Sequence, residues 1–348
     1  MKNFTKLDQP TGRSIYLDGK EYLFFGGTSY LGLATDRAYT ELFIEGIKRY
    51  GINNGTSRSN NVQQAIFDQA EAYASGRFGF EAGLLLSSGY LATQFVVKML
   101  SNEGELLYAP SSHPALWLDA NPGITGDFRD WSLRTVEYIN QSKATSFVVV
   151  SNSLDNMKPE RYDFSVFGTI AADKRVTLVL DDSHGIGVLS ENGISLTERD
   201  FLDANIELIV VASLAKGLAT DAGLILASQK RIAEFKKSNF YTGASPSSPA
   251  SLYAFVNGEQ IYRKQFEKLQ ENILYFASLS KGYLNTVANF PVFSSNDISL
   301  YERLMEASIL VSSFPYPLPT DPLLNRIVVN AHHTREDLER ISHAIGIS

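Results

Sequence analysis

The chain has no cysteine among its 348 residues. Disulfides, thiolate nucleophiles and cysteine-bound metals are excluded, and the absence fits a reducing cytoplasm. Histidine is scarce at five residues. Two of these, His332 and His333, are adjacent, and no zinc-ligand spacing arises. Charge is not gathered into one sign: the formal net charge is −7, with no long basic block. Nucleic acid and anionic membrane are thereby disfavoured as main partners. The longest apolar runs are broken by Lys216 and Asp221, too soon to span a bilayer. The N-terminal "MKNFTKLDQPTGRS" has no apolar core of the signal-peptide kind. Also missing are G-x-G-x-x-G, G-x-x-x-x-G-K-[ST] and G-x-S-x-G, the signatures of dinucleotide, P-loop and nucleophile-elbow chemistry.

What is present reads as a globular enzyme, with 44% apolar and 20% charged residues. Short apolar runs recur as "AGLLLS" (82–87), "GELLYA" (104–109), "SFVVVS" (146–151), "VTLVLD" (176–181), "ELIVVAS" (207–213) and "AGLILAS" (222–228). Consecutive rather than alternating apolar positions mark strands covered on both faces, as in a mostly parallel α/β sheet. Between them, Arg37 to Tyr50, Val62 to Arg77 and Tyr90 to Leu100 carry helical spacing. Ser247 to about Leu284 reads as one long helical stretch. Thr334 and Asp337 suggest a capping box at a final helix. The expected organisation is an N-terminal arm (1–35), a large α/β domain (36–250), and a connecting helix with a small C-terminal α+β domain (251–348).

Chemistry gathers at strand ends, where open α/β sheets bind ligands. In "VTLVLDDSHGIGVLSENG", a buried strand runs into Asp181, Asp182 and His184. A turn rich in Asp, Ser and Gly explains this equally well on its own. A second stretch, "VVASLAKGLATDAG", places Lys216 among small residues after another strand. A desolvated lysine is a nucleophile. A strand-end carboxylate with a strand-end lysine is the pair that pyridoxal 5'-phosphate needs. The lysine supplies the Schiff base, and the carboxylate keeps the pyridine nitrogen protonated. "LLLSSGYLATQ" leads from a strand through Ser88, Gly89 and Tyr90 into a helix, a ready phosphate site. "APSSHPALW" sets His113 just past a strand end.

The order of these motifs resembles the α-oxoamine synthases, fold-type I pyridoxal-phosphate enzymes with the aminotransferase class I/II fold. The family includes 8-amino-7-oxononanoate synthase and serine palmitoyltransferase. "FFGGTSYLGLA", "YGINNGTSRSNN", "LLLSSGYLATQ", "SSHPALW", "LDDSHGIGVLSENG", "ASLAKG" and "RIVVNAHHTREDLERI" carry the likeness, which runs from about Tyr22 to the C-terminal helix. It implies that Lys216 holds the cofactor, Asp181 pairs with the pyridine nitrogen, His184 approaches the ring hydroxyl and His113 stacks on the ring. Ser88, Gly89, Tyr90 and Ser213 would hold phosphate. Arg326, with Ser29, would meet the amino-acid substrate.

The implied function is that of an acyltransferase condensing an amino acid with an acyl thioester of CoA or acyl carrier protein. The implied form is a cytoplasmic homodimer with shared active sites. An aminotransferase or lyase of the same fold, and a catalytically decayed binding or regulatory homologue, are the alternatives. Four positions depart from the family pattern. Thr28 and Ser29 stand where Asn or Asp is usual, Asp155 where a serine near the ring hydroxyl is expected, and Gly243 where Ser or Thr is usual.

Overall fold

The expected apolar runs form strands in place. The computed structural model describes residues 4–196, 205–280, 282–315, 320 and 322–346. Along the chain the strands are β1 (Ser14–Leu17), β2 (Lys20–Phe25), β3 (Ala82–Leu86), β4 (Glu105–Tyr108), β5 (Ser146–Asn152), β6 (Leu154–Asp155), β7 (Glu160–Arg161), β8 (Arg175–Asp181), β9 (Ile206–Ser213), β10 (Gly223–Ala227), β11 (Val292–Ser295), β12 (Ile309–Pro315) and β13 (Leu323–Val328). The helices are α1 (Arg37–Tyr50), α2 (Ile66–Phe78), α3 (Gly89–Leu100), α4 (Phe128–Gln141), α5 (Gln229–Lys236), α6 (Asn239–Gly243), α7 (Pro249–Asn257), α8 (Glu259–Ser280), α9 (Leu300–Glu306) and α10 (Arg335–Ile345).

A six-stranded sheet in the order β3-β10-β9-β8-β5-β4 forms the centre. Pairs β4–β5, β5–β8 and β8–β9 are parallel, and β10 runs antiparallel to both its neighbours. Both faces are covered, which is why these strands read as unbroken apolar runs. On β9, Ile209 and Val211 enter one core while Val210 and Ala212 enter another. On β10, Ile225 and Ala227 divide from Leu224 and Leu226 in the same way. The carboxyl ends of β4, β5, β8 and β9 therefore share one edge.

A second sheet, β1-β2-β12-β13-β11, draws on both ends of the chain. The β1–β2 turn is Asp18-Gly19, both at positive φ (52° and 74°). That is a two-residue hairpin signal of the Asp-Gly kind. Arg13 grips Asp337 of α10 with two nitrogens at 2.6 and 2.7 Å. The same Asp337 completes the capping box with Thr334.

Two boundaries differ from the sequence reading. The stretch from Ser247 is two helices, α7 and α8, parted at Gly258. A Cβ there would stand 2.8 Å from the Tyr262 ring and 2.9 Å from the Ala254 carbonyl, so the glycine permits the sharp junction. Helix α2 begins at Ile66 rather than Val62, because Val62 lies in an exposed turn with its N–H on Asn60.

Candidate active site

Asp181 ends β8 and is paired in register with Asn152 at the end of β5. The next residue, Asp182, turns to the other side. Its carboxylate accepts from the Ser153 hydroxyl at 2.6 Å, the Ser195 N–H at 2.9 Å and the Ser195 hydroxyl. Burial raises the Asp182 pKa to about 6 despite these donors. Gly185 sits tight against this knot; a Cβ on it would collide with Ser195 Oγ and lie 2.4 Å from Asp182 Oδ1. Gly187 has φ +66°. The two glycines of the motif thus answer to steric demand, while Asp181 is left facing the cavity.

That cavity has a volume of about 780 Å³, and Lys216, Asp181, His184 and His113 all line it. Lys216 sits in the loop from β9 to β10. The loop is closed by Leu214 N–H to Ala222 O at 3.0 Å and Thr220 N–H to Leu214 O at 3.1 Å. Ala219 within it has φ 46°, unusual for a residue with a side chain. Gly217 allows the loop to press on Val188, 2.8 Å from where a Cβ would be. Among the described residues the Lys216 amine has no hydrogen-bond partner. Burial lowers its pKa, Asp181 opposes that, and Arg326 adds to it. One Asp181 oxygen accepts from the Ser183 N–H at 2.9 Å.

His113 precedes a short 3-10 turn. Its Nδ1 accepts from the Ala115 N–H at 3.1 Å, and its own N–H donates to Asn152 Oδ1 at 3.1 Å. Asn152 also donates to Ser111 O at 2.8 Å. The strand end beside Asp181 thereby fixes the backbone of His113. Desolvation lowers the His113 pKa, with Asp181 pulling up and Lys216 pulling down.

His184 is held at both ring nitrogens. The Tyr30 hydroxyl is 2.7 Å from Nδ1, and the Asn156 amide nitrogen is 2.9 Å from Nε2. Burial, then the charges of Lys216, Arg326 and His113, push the His184 pKa well below its ordinary value. Arg326 is buried and does not line the main cavity. It donates from Nε to Asn156 O (3.1 Å), from Nη1 to Gly27 O (3.3 Å) and from Nη2 to the Tyr30 hydroxyl (3.0 Å). The residue against His184 is therefore Asn156. Asp155, one position earlier, takes the N–H groups of Met157 and Lys158 at 2.7 and 3.1 Å and shapes the turn.

The remaining candidates lie outside this lining. Ser88 caps α3, its hydroxyl accepting from the Leu91 N–H at 3.2 Å. Gly89 presses on Ser213; a Cβ would stand 2.4 Å from the Ser213 Cβ. Only glycine lets the first turn of α3 come so close to the end of β9. The N–H groups of Gly89 and Tyr90 precede the first intrahelical bond and meet no acceptor among the described residues, an arrangement that suits an anion. Ser29 is not brought to the main cavity. It lines a small separate one with Thr28, Gly32 and His332. His333 is a structural residue, stacked on Phe25 at 3.8 Å and bonded to Asn330 N–H and Phe24 O. Its pKa is lowered to about 4 by burial.

Sequence reasoning missed Tyr30, Asn156, Asn152 and Ser183. Tyr30 stands within the quoted "FFGGTSYLGLA", but nothing in the sequence ties it to residue 184. Asn156 is adjacent to the position singled out, and only the turn geometry separates the two.

The donor set suits pyridoxal 5'-phosphate: an unpartnered, pKa-lowered amine, an unsaturated carboxylate at a strand end, and a helix N-terminus brought in by a glycine. Among solved structures, a Sphingomonas wittichii serine palmitoyltransferase aligns with TM-score 0.82 and 18% identity, over 98% of this chain and 90% of that one. A serine palmitoyltransferase structure with PLP aligns with TM-score 0.83 and 16% identity, over 98% and 91%. In sequence, an 8-amino-7-oxononanoate synthase of Alcanivorax borkumensis is 25% identical over 98% of this chain and 92% of its own. One from Vibrio parahaemolyticus is 26% identical over 94% and 88%. The profile of the Aminotransferase class I and II family matches residues 77–345. Pyridoxal 5'-phosphate is the cofactor that the family and the PLP-bound neighbours indicate. A fold, a donor set and a profile that agree over most of the length lead to one assignment: the chain belongs to the class I and II aminotransferase family, as a pyridoxal-phosphate transferase of the α-oxoamine synthase kind.

Proposed function

We propose that the protein condenses an amino acid with an acyl thioester, in the manner its 8-amino-7-oxononanoate synthase relatives are named for. The observation that carries this reading is the convergence of Lys216, Asp181, His113 and His184 on one cavity. A lobe of the cavity reaches Ile124, Phe128 and Met157, apolar surface suited to an acyl chain. When bound, the cofactor supplies an electron sink for the carbanion at the amino acid's α-carbon. Lys216 attaches it and, with its lowered pKa, takes and returns protons through Nζ. Asp181 holds a proton on the pyridine nitrogen. His113, which lines the cavity, would help hold the cofactor ring there. Gly89, Tyr90 and Ser213 receive the phosphate. Arg326, which stands behind His184 and Tyr30, would receive the substrate carboxylate on its planar fork by exchanging its present acceptors Gly27 O and the Tyr30 hydroxyl for it.

The working form in this reading is a cytoplasmic homodimer. Tyr90, 60% exposed at the start of α3, supports a partner there, as do Ile52 and Val62, each 72% exposed. Gly243 faces open space. No described helix is long and apolar enough to cross a membrane.

Screening amino acids against CoA and acyl-carrier-protein thioesters, with thiol release as readout, tests the reaction. Release that needs one amino acid and is lost in Lys216→Ala supports it. Amino-group exchange with a 2-oxo acid and no thiol release would make the protein an aminotransferase. A purified protein that never shows a visible cofactor band would make it a binding homologue.

A further inference from the structure

Of the two His184 ring nitrogens, Nδ1 meets the Tyr30 hydroxyl at 2.7 Å, and the Asn156 amide lies 2.9 Å from Nε2 and 3.3 Å from Nδ1. Tyr30 is fully buried, and among the described residues its hydroxyl is hydrogen-bonded to Arg326 Nη2 at 3.0 Å and His184 Nδ1 at 2.7 Å alone. Arginine has donors alone, so the Tyr30 oxygen accepts from Arg326. Among the described residues the phenolic proton then has one acceptor within reach, His184 Nδ1. A ring that accepts at Nδ1 and stays neutral carries its proton on Nε2. Nε2 faces the Asn156 amide at 2.9 Å. The proton count assigns the amide oxygen to that contact, since the oxygen and nitrogen of an amide are close in shape. The opposite tautomer would strand a buried phenolic proton.

Asn156 has a second task. Its carbonyl accepts from Arg326 Nε at 3.1 Å. Asp155 braces the turn beneath it through the Met157 and Lys158 N–H groups. One residue on the β6–β7 turn thus touches the ring facing the cavity and the guanidinium behind it.

We propose that Asn156 and Tyr30 are positioning residues: they lock His184 as the neutral Nε2–H tautomer and tie it to Arg326 in one hydrogen-bonded unit. The chain of donation runs Arg326 to Tyr30 to His184 Nδ1, and His184 Nε2–H to the Asn156 amide oxygen. That Arg326 receives a substrate carboxylate rests on the reading above; the locked tautomer does not.

The test is nitrogen NMR of the full chain labelled with 15N-histidine, with and without pyridoxal 5'-phosphate. Five histidines keep the spectrum assignable. Unsubstituted protein is expected to show His184 protonated at Nε2 alone. Tyr30→Phe keeps the ring and removes the donor to Nδ1. Asn156→Ala removes the acceptor at Nε2. Each is expected to raise the minor tautomer roughly five- to tenfold, the ratio set by one lost hydrogen bond. A merely structural role would alter stability and leave the tautomer fixed. A His184 protonated at Nδ1 in the unsubstituted protein, or a tautomer unchanged in both variants, overturns the proposal. Absence of thioester condensation with the Nε2–H tautomer in place would count against the proposed reaction and leave this inference standing.

Discussion

At the end of β8, Asp181 and Asp182 point to opposite sides, and this fixes what each substitution should do. Asp181→Asn removes the proposed charge partner of the cofactor nitrogen and should cut turnover by roughly 10²–10³, the scale of a lost electrostatic contact in a closed site. Asp182→Asn should cost turnover less than about tenfold and act on stability instead. Steady-state rates of the two variants check this order. The Asp182 pKa of about 6 lies above its unfolded value, so the folded state binds the extra proton. Its contribution to stability falls as pH rises from about 4 to 6, by about 2–3 kcal/mol. His333 works the other way. Its folded pKa of about 4 lies below the unfolded value, so stability is gained as pH rises from about 4 to 6.5. The two nearly cancel in the intact protein. Urea unfolding across this window should show a steeper rise with pH in Asp182→Asn and a fall in His333→Asn.

Arg326 is buried, with one acceptor at each nitrogen, which no surface arginine would show. Arg326→Lys keeps the charge and loses the fork. Amino-acid affinity should drop by about 1–3 kcal/mol, while cofactor affinity, held by the large sheet, should stay. Spectral titration with amino acids separates the two. At this scale the sequence pointed to Lys216 and Asp181 through their residue types at strand ends, and the fold brings both to one cavity. The sequence was silent on Tyr30, whose importance comes from a 2.7 Å contact with a residue 154 positions away.

Among elements, the junction of β9, β10 and α3 is closed backbone to backbone by two glycines. A Cβ on Gly89 would meet Ser213 Cβ at 2.4 Å and its Cα at 2.7 Å; one on Gly223 would reach 2.0 Å from the Ser88 carbonyl. Backbone atoms cannot rotate away, so a methyl here must push α3 off the sheet. Gly89→Ala should weaken pyridoxal 5'-phosphate binding by tenfold or more, about 1.4 kcal/mol, and equilibrium dialysis reads it. The central strands were legible because burial on both faces leaves unbroken apolar runs. The join between α7 and α8 was not, because one glycine inside helical periodicity looks like a tolerated residue until Tyr262 is seen against it. The β1–β2 hairpin did carry a signal, Asp18-Gly19, between the short apolar runs that hold the buried Ile15, Tyr22, Leu23 and Phe25.

At the scale of the molecule, the two chain ends meet in one sheet, with β2 beside β12 and Arg13 on Asp337. Removing residues 1–25 would bare the edge of β12 and strip cover from Ile309 and Val311, both buried. Such a truncation should melt lower and aggregate, which calorimetry and size-exclusion chromatography would show. Local periodicity cannot report a pairing between residues about three hundred apart, and that is why the second sheet was hidden while the first was plain.

The central claim is that Lys216 is the residue that carries the cofactor. Borohydride reduction of the protein loaded with pyridoxal 5'-phosphate, followed by peptide mass mapping, tests it most directly. The cofactor should be fixed on the peptide containing Lys216, and Lys216→Ala should show no fixed cofactor. Stable labelling of a different lysine in the unsubstituted protein would contradict the account.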